Sequence, residues 1–185
     1  MRADARRNYE RLLTAGREAF SERGEQASMD DIAKRAQVGP GTLYRHFPSR
    51  EALLAAVYRD DVGVMADRAA ELAGTLAPFG ALVAWLHELL AYTKAKLGLN
   101  ALLKNMLKQD TETFEWCHDT MRNALGGLLK SAQDAGEIRP DVDQITVLRL
   151  VHGVGMASEN APEMADRMLD LVIDGLRPRP APPAP

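Results

Sequence analysis

Residues 28–54 of the chain, SMDDIAKRAQVGPGTLYRHFPSREALL, hold two short helical patterns separated by a turn. In the first pattern, apolar residues recur every three or four positions, which predicts a helix over about residues 28–35. Ser28 can cap this helix, and Asp31 follows at the spacing of a capping box. The stretch therefore opens with a capped helix that has one apolar face.

The second pattern begins after Gly39, which we expect to take the left-handed conformation that glycine adopts most readily. Pro40 suits the first position of a helix, where its missing N–H is not needed, and the pattern predicts a helix over residues 40–46. Pro48 ends that helix, and Ser49 can cap the next one. Two short helices joined by a tight turn are typical of a helix-turn-helix, whose second helix enters the major groove of DNA.

The second helix also has the composition that a DNA contact requires. A small tip allows close approach to base edges, and hydrogen-bonding or cationic side chains recognise bases and phosphates. The tip is formed by Pro40, Gly41 and Thr42. The donors are supplied by Tyr44, Arg45, His46 and Arg50. The pattern therefore predicts double-stranded DNA as a partner.

Composition and charge agree with this prediction. The chain has 185 residues, 46% of them hydrophobic and 26% charged, which is typical of a soluble globular protein with one large or two small domains. Residues 1–50 carry ten basic against seven acidic side chains, whereas the remainder carries thirteen against nineteen. A basic module on an acidic body fits local contact with DNA, although chance asymmetry gives a difference of the same size.

Other features favour a cytoplasmic protein. No apolar run approaches the roughly 20 residues that cross a bilayer, and the charged N-terminus lacks the apolar segment of a signal peptide. The one cysteine, Cys117, fits a reducing compartment. Cys117 and His118 have no second pair to complete a metal site. We expect no metal, no cofactor and no membrane partner.

The whole chain is predicted to be all-α, with about nine helices. They are expected at about residues 3–23, 28–35, 40–46, 49–73, 78–97, 99–109, from after 111 to 136, 143–158 and 162–176. Residues 1–48 form the predicted three-helix DNA-binding domain. Residues 49–176 form a second helical domain, to which the helix over 49–73 is the connector. Residues 177–185 hold five of the ten prolines and are expected to be an extended tail.

The segment GTLYRHFPSREALL, residues 41–54, resembles the DNA-binding signature of the TetR family of one-component bacterial regulators. An upstream apolar stripe that ends at Gly24, a candidate C-terminal helix glycine, fits the same pattern. The specific match covers about the first third of the chain. Within the family, the chain is most similar to members whose second domain opens with a proline-started, Trp-bearing helix, here residues 78–97.

The resemblance implies a role for each DNA-facing residue. It places Pro40, Gly41 and Thr42 on base edges with Tyr44 close behind, and Gly41 departs from members that carry a side chain at this position. Arg45 is a candidate for bidentate pairing with guanine, or else a phosphate-contacting or solvated arginine. Tyr44, His46 and Arg50 match positions that hold the DNA backbone; His46 as a structural histidine and Arg50 as a tolerated surface cation are the alternatives. Ser28 either only caps the first helix of the pair or caps it and also donates a hydrogen bond to a phosphate. Arg2, Arg6 and Arg7 form either an arm in the minor groove or a frayed terminus.

The resemblance also implies an effector pocket in the second domain and a dimer interface from the last two helices. Candidates for the pocket wall, which are ordinary core residues in the alternative reading, are Trp85, Tyr92, Met106, Phe114, Trp116 and Met121. Candidates for the interface, which are otherwise buried within one subunit, are Leu148, Val151, His152, Gly155, Met168, Leu171 and Val172. An apolar wall with few polar groups suits a small, largely hydrophobic effector.

These expectations define one function and its rivals. The chain is expected to be a homodimeric transcriptional regulator, a repressor that binds a palindromic operator and is released by its effector. A helical ligand- or protein-binding module without specific DNA binding is the alternative. An enzyme is not expected, because no set of nucleophile, base and orienting residue stands out. Repressor and activator use the same contacts and stay open at this stage.

Overall fold

The computed structural model describes residues 2–96 and 110–178, apart from the side chains of Arg2 and Glu25. Within these ranges the chain forms eight α-helices and no strand, which confirms the predicted all-α class. The predicted helix over residues 99–109 and residues 179–185 of the predicted tail lie outside the described residues.

Prolines, glycines and capping side chains mark most helix ends, so the limits of the described helices lie within three residues of those predicted. The helices are α1 (Arg2–Arg23), α2 (Met29–Arg35), α3 (Pro40–His46), α4 (Arg50–Thr75), α5 (Pro78–Ala95), α6 (Thr111–Asp134), α7 (Gln144–Ala157) and α8 (Ala165–Leu176). Two short 3₁₀ helices, Gly24–Gln26 and Pro162–Met164, precede α2 and α8.

Two of the predicted helix ends are confirmed and one is wrong. Gly24 follows α1 with φ 51°, and the Ala52 N–H donates to Ser49 Oγ at 3.1 Å at the start of α4. Ser28 is the residue before α2, and its carbonyl accepts from the Ile32 N–H, but its side chain makes no capping hydrogen bond. The predicted capping box is therefore absent, and α2 depends on packing of its buried residues.

The turn between α2 and α3 corrects another expectation. Gly39 has φ −69° and ψ 148°, an extended conformation open to any residue. The left-handed residue is Gln37, with φ 53°. The Gln37 N–H donates to the Lys34 carbonyl and the Val38 N–H to the Ala33 carbonyl, both at 3.0 Å, which is the hydrogen-bond pattern of a Schellman motif. The turn is thus set by the end of α2.

The chain divides into two compact units, each of which has its own core. Of the described residues, the first unit contains 2–63 and 110–118, and the second contains 64–96 and 119–178. The boundary falls inside α4, between Gly63 and Val64. The predicted domain limits at residues 48 and 176 stay predictions.

In the first unit, α1, α2, α3 and the first half of α4 enclose a core of apolar side chains. Its fully buried members include Leu12, Phe20, Ile32, Leu43 and Leu53. In the second unit, α5 packs against α7 and α8, which also pack against each other. The Trp85 side chain is fully buried there, and its indole N–H donates to the Met65 carbonyl at 2.9 Å. The first of these cores positions the candidate DNA-binding helix.

Candidate nucleic-acid interface

Helix α3 is attached to the first unit by its apolar side alone. The side chains of Leu43 and Phe47 are 0% and 3% exposed, and they fix the helix from beneath. Pro40, Gly41 and Arg45 are exposed, Thr42 is half-buried, and Tyr44 is 48% exposed despite its large apolar ring. The N-terminal tip and the outer face of α3 are therefore available to a partner.

Gly41 has no structural reason to be a glycine. A Cβ atom at this position would meet nothing within 4 Å, and the backbone φ is not positive. Glycine in a helix costs up to about 1 kcal/mol relative to alanine. No contact among the described residues therefore requires a glycine at this position, and the predicted place of Gly41 on base edges stays a prediction.

His46 is held in an aromatic cluster at the end of α3. Its ring centroid lies 6.0 Å from that of Tyr9, edge-on, and 6.2 Å from that of Phe47. Tyr9 and Phe47 are themselves 5.2 Å apart, which links α1 to the end of α3. The cluster fixes the orientation of the imidazole, and both predicted roles of His46 are compatible with this position.

Arg50 makes contacts that sequence reasoning missed. Its guanidinium donates to the Gly24 carbonyl at 2.5 Å and lies over the Phe20 ring, 5.4 Å from the centroid. Its Nε is buried and has no acceptor among the described residues. A cation in the first turn of α4 is disfavoured by the helix dipole, and attachment of α4 to the end of α1 explains it without DNA. The predicted phosphate contact of Arg50 stays a prediction.

The N-terminal arginines belong to a helix instead of a frayed end, and the predicted arm in the minor groove stays a prediction. Residues 2–7 belong to α1, where Arg6 pairs with Glu10 and Arg7 with Asp4. The side chain of Arg2 lies outside the described residues. Arg45 differs from these arginines, because it has no acidic partner in the part of the chain that the structure describes and its charge faces outward.

The turn before α3 is supported from α1. The Arg11 guanidinium donates to Gln37 Oε1 at 3.1 Å and to the Gln37 carbonyl at 3.3 Å. A second arginine, Arg35 of α2, pairs with Glu22 and Glu18 of α1. These ion pairs and hydrogen bonds hold the helix-turn-helix together on the side away from its apolar core.

A groove of about 480 Å³ opens between α1 and the end of α2. It is lined mainly by charged side chains that already have partners, among them Arg7, Arg11 and Arg35. Such a lining does not match the apolar effector pocket that the sequence predicts, and the groove contains none of the predicted pocket residues.

The predicted pocket residues have different environments. Trp85 and Met121 are buried in the second unit, where Tyr92 is half-buried. Phe114 and Trp116 belong to the first unit and are 46% and 38% exposed. The Arg59 guanidinium lies over the Trp116 ring, with 4.7 Å between its Cζ atom and the ring centroid. The Phe114 ring stacks on that of His118. Met106 lies outside the described residues, and the pocket stays a prediction.

The predicted interface residues divide into two groups. Val151 is fully buried in its own subunit, and a Cβ atom at Gly155 would lie 2.7 Å from Thr93 Cγ2 on α5. These two residues face the core of the second unit and are unavailable to a second subunit. The other five have accessible surface: Leu148, His152, Met168, Leu171 and Val172. Among the large apolar residues of the described ranges, Leu171 is the most exposed, at 66%.

Several carboxylates have lowered pKa values, and the causes are hydrogen bonds and charges that stabilise helices. A hydrogen bond from Arg35 lowers the pKa of Glu22. The pKa of Asp110 is lowered by hydrogen bonds from the Thr113 side chain and backbone N–H, and by the charge of Arg59. The pKa of Asp143 is lowered by the Thr146 N–H and hydroxyl. Asp110 and Asp143 cap α6 and α7.

The described residues contain no group of three or more His, Cys, Asp or Glu side chains with the geometry of a metal site. None of their helices is long and apolar enough to cross a membrane.

Comparisons with known proteins agree with this architecture. A family model described as bacterial regulatory proteins, tetR family, matches residues 12–57, and one described as transcriptional regulator SbtR-like, C-terminal domain, matches residues 77–178. The helix-turn-helix transcriptional regulator UidR of Escherichia coli K12 is 30% identical over 161 residues, which is 82% of this chain and 79% of that one.

Two further proteins extend the likeness over nearly the whole chain. The crystal structure of the TetR transcriptional regulator SCO0520 from Streptomyces coelicolor has a TM-score of 0.80 and 37% identity, with 93% of this chain and 99% of that one covered. The fatty acid metabolism regulator protein of Bacillus subtilis is 25% identical over 180 residues, which is 90% of this chain and 89% of that one.

Proposed function

The chain belongs to the TetR family of transcriptional regulators and is a helix-turn-helix DNA-binding protein, and from this premise we propose that it is a homodimeric repressor that a small effector releases from a palindromic operator. The exposed tip and outer face of α3 carry this proposal. Thr42, Tyr44 and Arg45 present a hydroxyl, a phenol and an unpaired cation there, next to a glycine that folding does not require.

We assign separate tasks to these residues. Pro40, Gly41 and Thr42 lie against base edges, because only small groups allow the helix backbone to approach them. Tyr44 and His46 contact the phosphate backbone and set the register. Arg45 pairs with a guanine or contacts a phosphate, and its exposed position suits both.

The apolar outer faces of α7 and α8 support a homodimer. Ile145, Leu150 and Met156 of α7 and Leu171 of α8 are 37% to 66% exposed, although large apolar side chains are normally buried. Two helices from each of two subunits would cover these faces in a four-helix interface with a two-fold axis. A two-fold protein requires a nearly palindromic operator, with half-sites separated by whole turns of DNA.

The effector is proposed to be small and largely hydrophobic. The second unit is rich in buried apolar residues and contains the buried Trp85, and a relative 25% identical to the chain is named a regulator of fatty acid metabolism. The effector would shift the population toward conformations in which the two α3 helices no longer fit successive major grooves. A regulator of this kind acts in the cytoplasm, where its operator is, and catalyses no reaction.

Selection of bound DNA from a random pool at moderate salt tests the proposal. We expect a palindromic consensus with the wild-type chain. Tyr44→Ala is the negative control: the side chain is half exposed, so the variant should fold normally and select nothing. A folded, dimeric wild-type chain that enriches no sequence would favour the alternative function, a helical ligand- or protein-binding module.

A further inference from the structure

Helix α4 runs through the boundary between the two compact units. It contains 26 residues, and the first unit ends at Gly63, in the interior of the helix. The connector between the DNA-binding residues and the second unit is therefore one continuous helix with a glycine where the units meet.

The fold of a single chain does not require glycine at this position. Among residues 2–96 and 110–178, no atom lies within 4 Å of a Cβ placed on Gly63, and the φ of Gly63 is not positive. Glycine nevertheless weakens a helix interior relative to alanine, and it is one of the residues at which helices bend sharply. Gly63 is thus a weak point in α4 that neither backbone geometry nor packing among the described residues explains.

The half of α4 before Gly63 is attached to α1. Arg17 Nε donates to Asp61 at 2.6 Å, and Arg17 Nη2 donates to Asp60 at 2.6 Å. The Asp61 side chain is 11% exposed, so its ion pair is largely shielded from water. One guanidinium that holds two adjacent carboxylates fixes both the position and the rotation of this half of α4 on α1.

The half of α4 after Gly63 is attached to α5. The buried Trp85 indole donates to the carbonyl of Met65, two residues beyond the glycine, at 2.9 Å. One turn further along, Arg68 donates to both carboxylate oxygens of Glu88, at 2.9 and 3.1 Å. These contacts lie within the second unit, so α4 is fixed on both sides of Gly63 to different units.

We propose that Gly63 is the hinge of the regulator: α4 bends there, so that the half fixed by Arg17 moves with the DNA-binding helices and the half fixed by Trp85 stays with the effector-binding unit. The proposal rests on the proposed release of DNA by an effector and adds where the movement occurs. A helix that tilts as one rigid rod would need no weak point between its two attachments.

Gly63→Ala tests the hinge, and Gly74→Ala is its matched control. Gly74 lies in the same helix, its Cβ position is equally open, and both attachment points of α4 precede it. Donor and acceptor dyes on Lys34→Cys and Glu159→Cys, both exposed, report the distance between the two units. Cys117 is 1% exposed and should stay unlabelled. Labelled chains are mixed with excess unlabelled chain, and the donor fluorescence decay gives the distance distribution.

We expect Gly63→Ala to lower the population of bent chains about fivefold and to narrow the distribution, since that factor corresponds to the roughly 1 kcal/mol between glycine and alanine in a helix. Gly74→Ala should leave the wild-type distribution unchanged. Equal distributions for wild type and Gly63→Ala, or equal narrowing by both substitutions, would overturn the hinge.

A second measurement gives the functional consequence. On the selected operator, insertion of one base pair between the half-sites should cost Gly63→Ala more affinity than it costs the wild type or Gly74→Ala, because only the hinged chain adapts to the new spacing. An equal loss in all three proteins would overturn the hinge as a regulatory element. Failure of the hinge and failure of the proposed function can be told apart, because the dye distances are measured without an operator.

Discussion

Arg11 of α1 and Gln37 of the turn are joined by two hydrogen bonds, to the Gln37 side chain at 3.1 Å and to its carbonyl at 3.3 Å. Gln37 has φ 53°, a conformation that side chains other than glycine and asparagine rarely adopt. Arg11 therefore holds in place the one non-glycine residue in the described chain whose backbone is left-handed, four residues before Gly41 at the tip of α3.

Gln37→Gly should raise the free energy of unfolding by roughly 0.5–1 kcal/mol, because glycine adopts the left-handed conformation without steric cost and the lost side-chain hydrogen bond is exposed. Gly39→Ala is the control: its φ is −69°, so no backbone strain is relieved, and because Gly39 is the N-cap of α3 stability should be equal or slightly lower. Denaturant unfolding measures both. A less stable Gln37→Gly would show that the Arg11 contact outweighs the backbone cost.

Gly155→Ala should lower the free energy of unfolding by about 1–3 kcal/mol, because the new methyl would lie 2.7 Å from Thr93 Cγ2 where α5 and α7 meet. The Thr93 hydroxyl donates to the Leu89 carbonyl at 2.9 Å, which restrains the side chain from turning away. Thr93→Ser removes the methyl and keeps the hydroxyl, so the double variant should recover much of the loss.

Gly127→Ala in α6, where a Cβ would meet nothing within 4 Å, is the control for the glycine substitution and should be as stable as the wild type or more so. Thermal unfolding of the four proteins separates crowding at residue 155 from a general effect of alanine. No recovery in the double variant would mean that the close approach of α5 and α7 has another cause.

Arg45→Ala distinguishes the two contacts open to this side chain. Pairing with guanine predicts a loss of roughly 1–3 kcal/mol in discrimination at one base pair of each half-site. A phosphate contact predicts a similar weakening for all sequences, and a salt dependence of log K shallower by about one unit of slope per subunit. Binding titrations of operator variants at several salt concentrations distinguish the guanine contact from the phosphate contact. Unchanged affinity and slope would leave Arg45 as a solvated surface residue.

The Asp110 cap predicts a pH dependence. Its folded-state pKa is lowered by Thr113 and Arg59, so its contribution to stability is present above the unfolded pKa of about 3.9 and is lost as pH falls through the lower folded value. Asp110→Asn keeps a capping oxygen but does not titrate. We expect the wild type to be more stable than this variant at pH 7 and the difference to shrink below about pH 4.

Urea unfolding at pH 7, 5, 4 and 3 measures the difference between wild type and Asp110→Asn. Thr113→Val removes the hydrogen bond from the Thr113 side chain to Asp110 and should reduce the same pH-dependent component. A difference that stays constant from pH 7 to pH 3 would contradict the role of the Asp110 charge.

Most of the fold could be predicted because its signals are local. Pro40 and Pro78 begin helices, Gly24 ends one and Ser49 caps one, and each acts within a few residues. Gln37 was missed because the sequence offers Gly39 two positions later, and glycine is the usual choice for a left-handed residue. Which backbone position is left-handed depends on where α2 ends, and that is decided by packing.

The candidate site was predictable in part for the same reason. The spacing of Leu43 and Phe47 shows which side of α3 is buried, so the opposite side must be the exposed one. The contact of Arg50 with Gly24 joins residues 26 apart and has no signature in sequence. Helical spacing also cannot tell which of two apolar faces of α7 meets the protein's own core, which is why Val151 and Gly155 were placed in the interface.

The open space around Gly41 has a consequence for how regulators of this kind diverge. Because the scaffold places no demand on residue 41, a side chain can be introduced there without a penalty in folding, and it changes only what the helix tip meets. In the complex with DNA that we propose, operator preference is thus separable from stability at this position. A duplicated copy of the gene could acquire a new DNA target by one substitution while it keeps the same protein architecture.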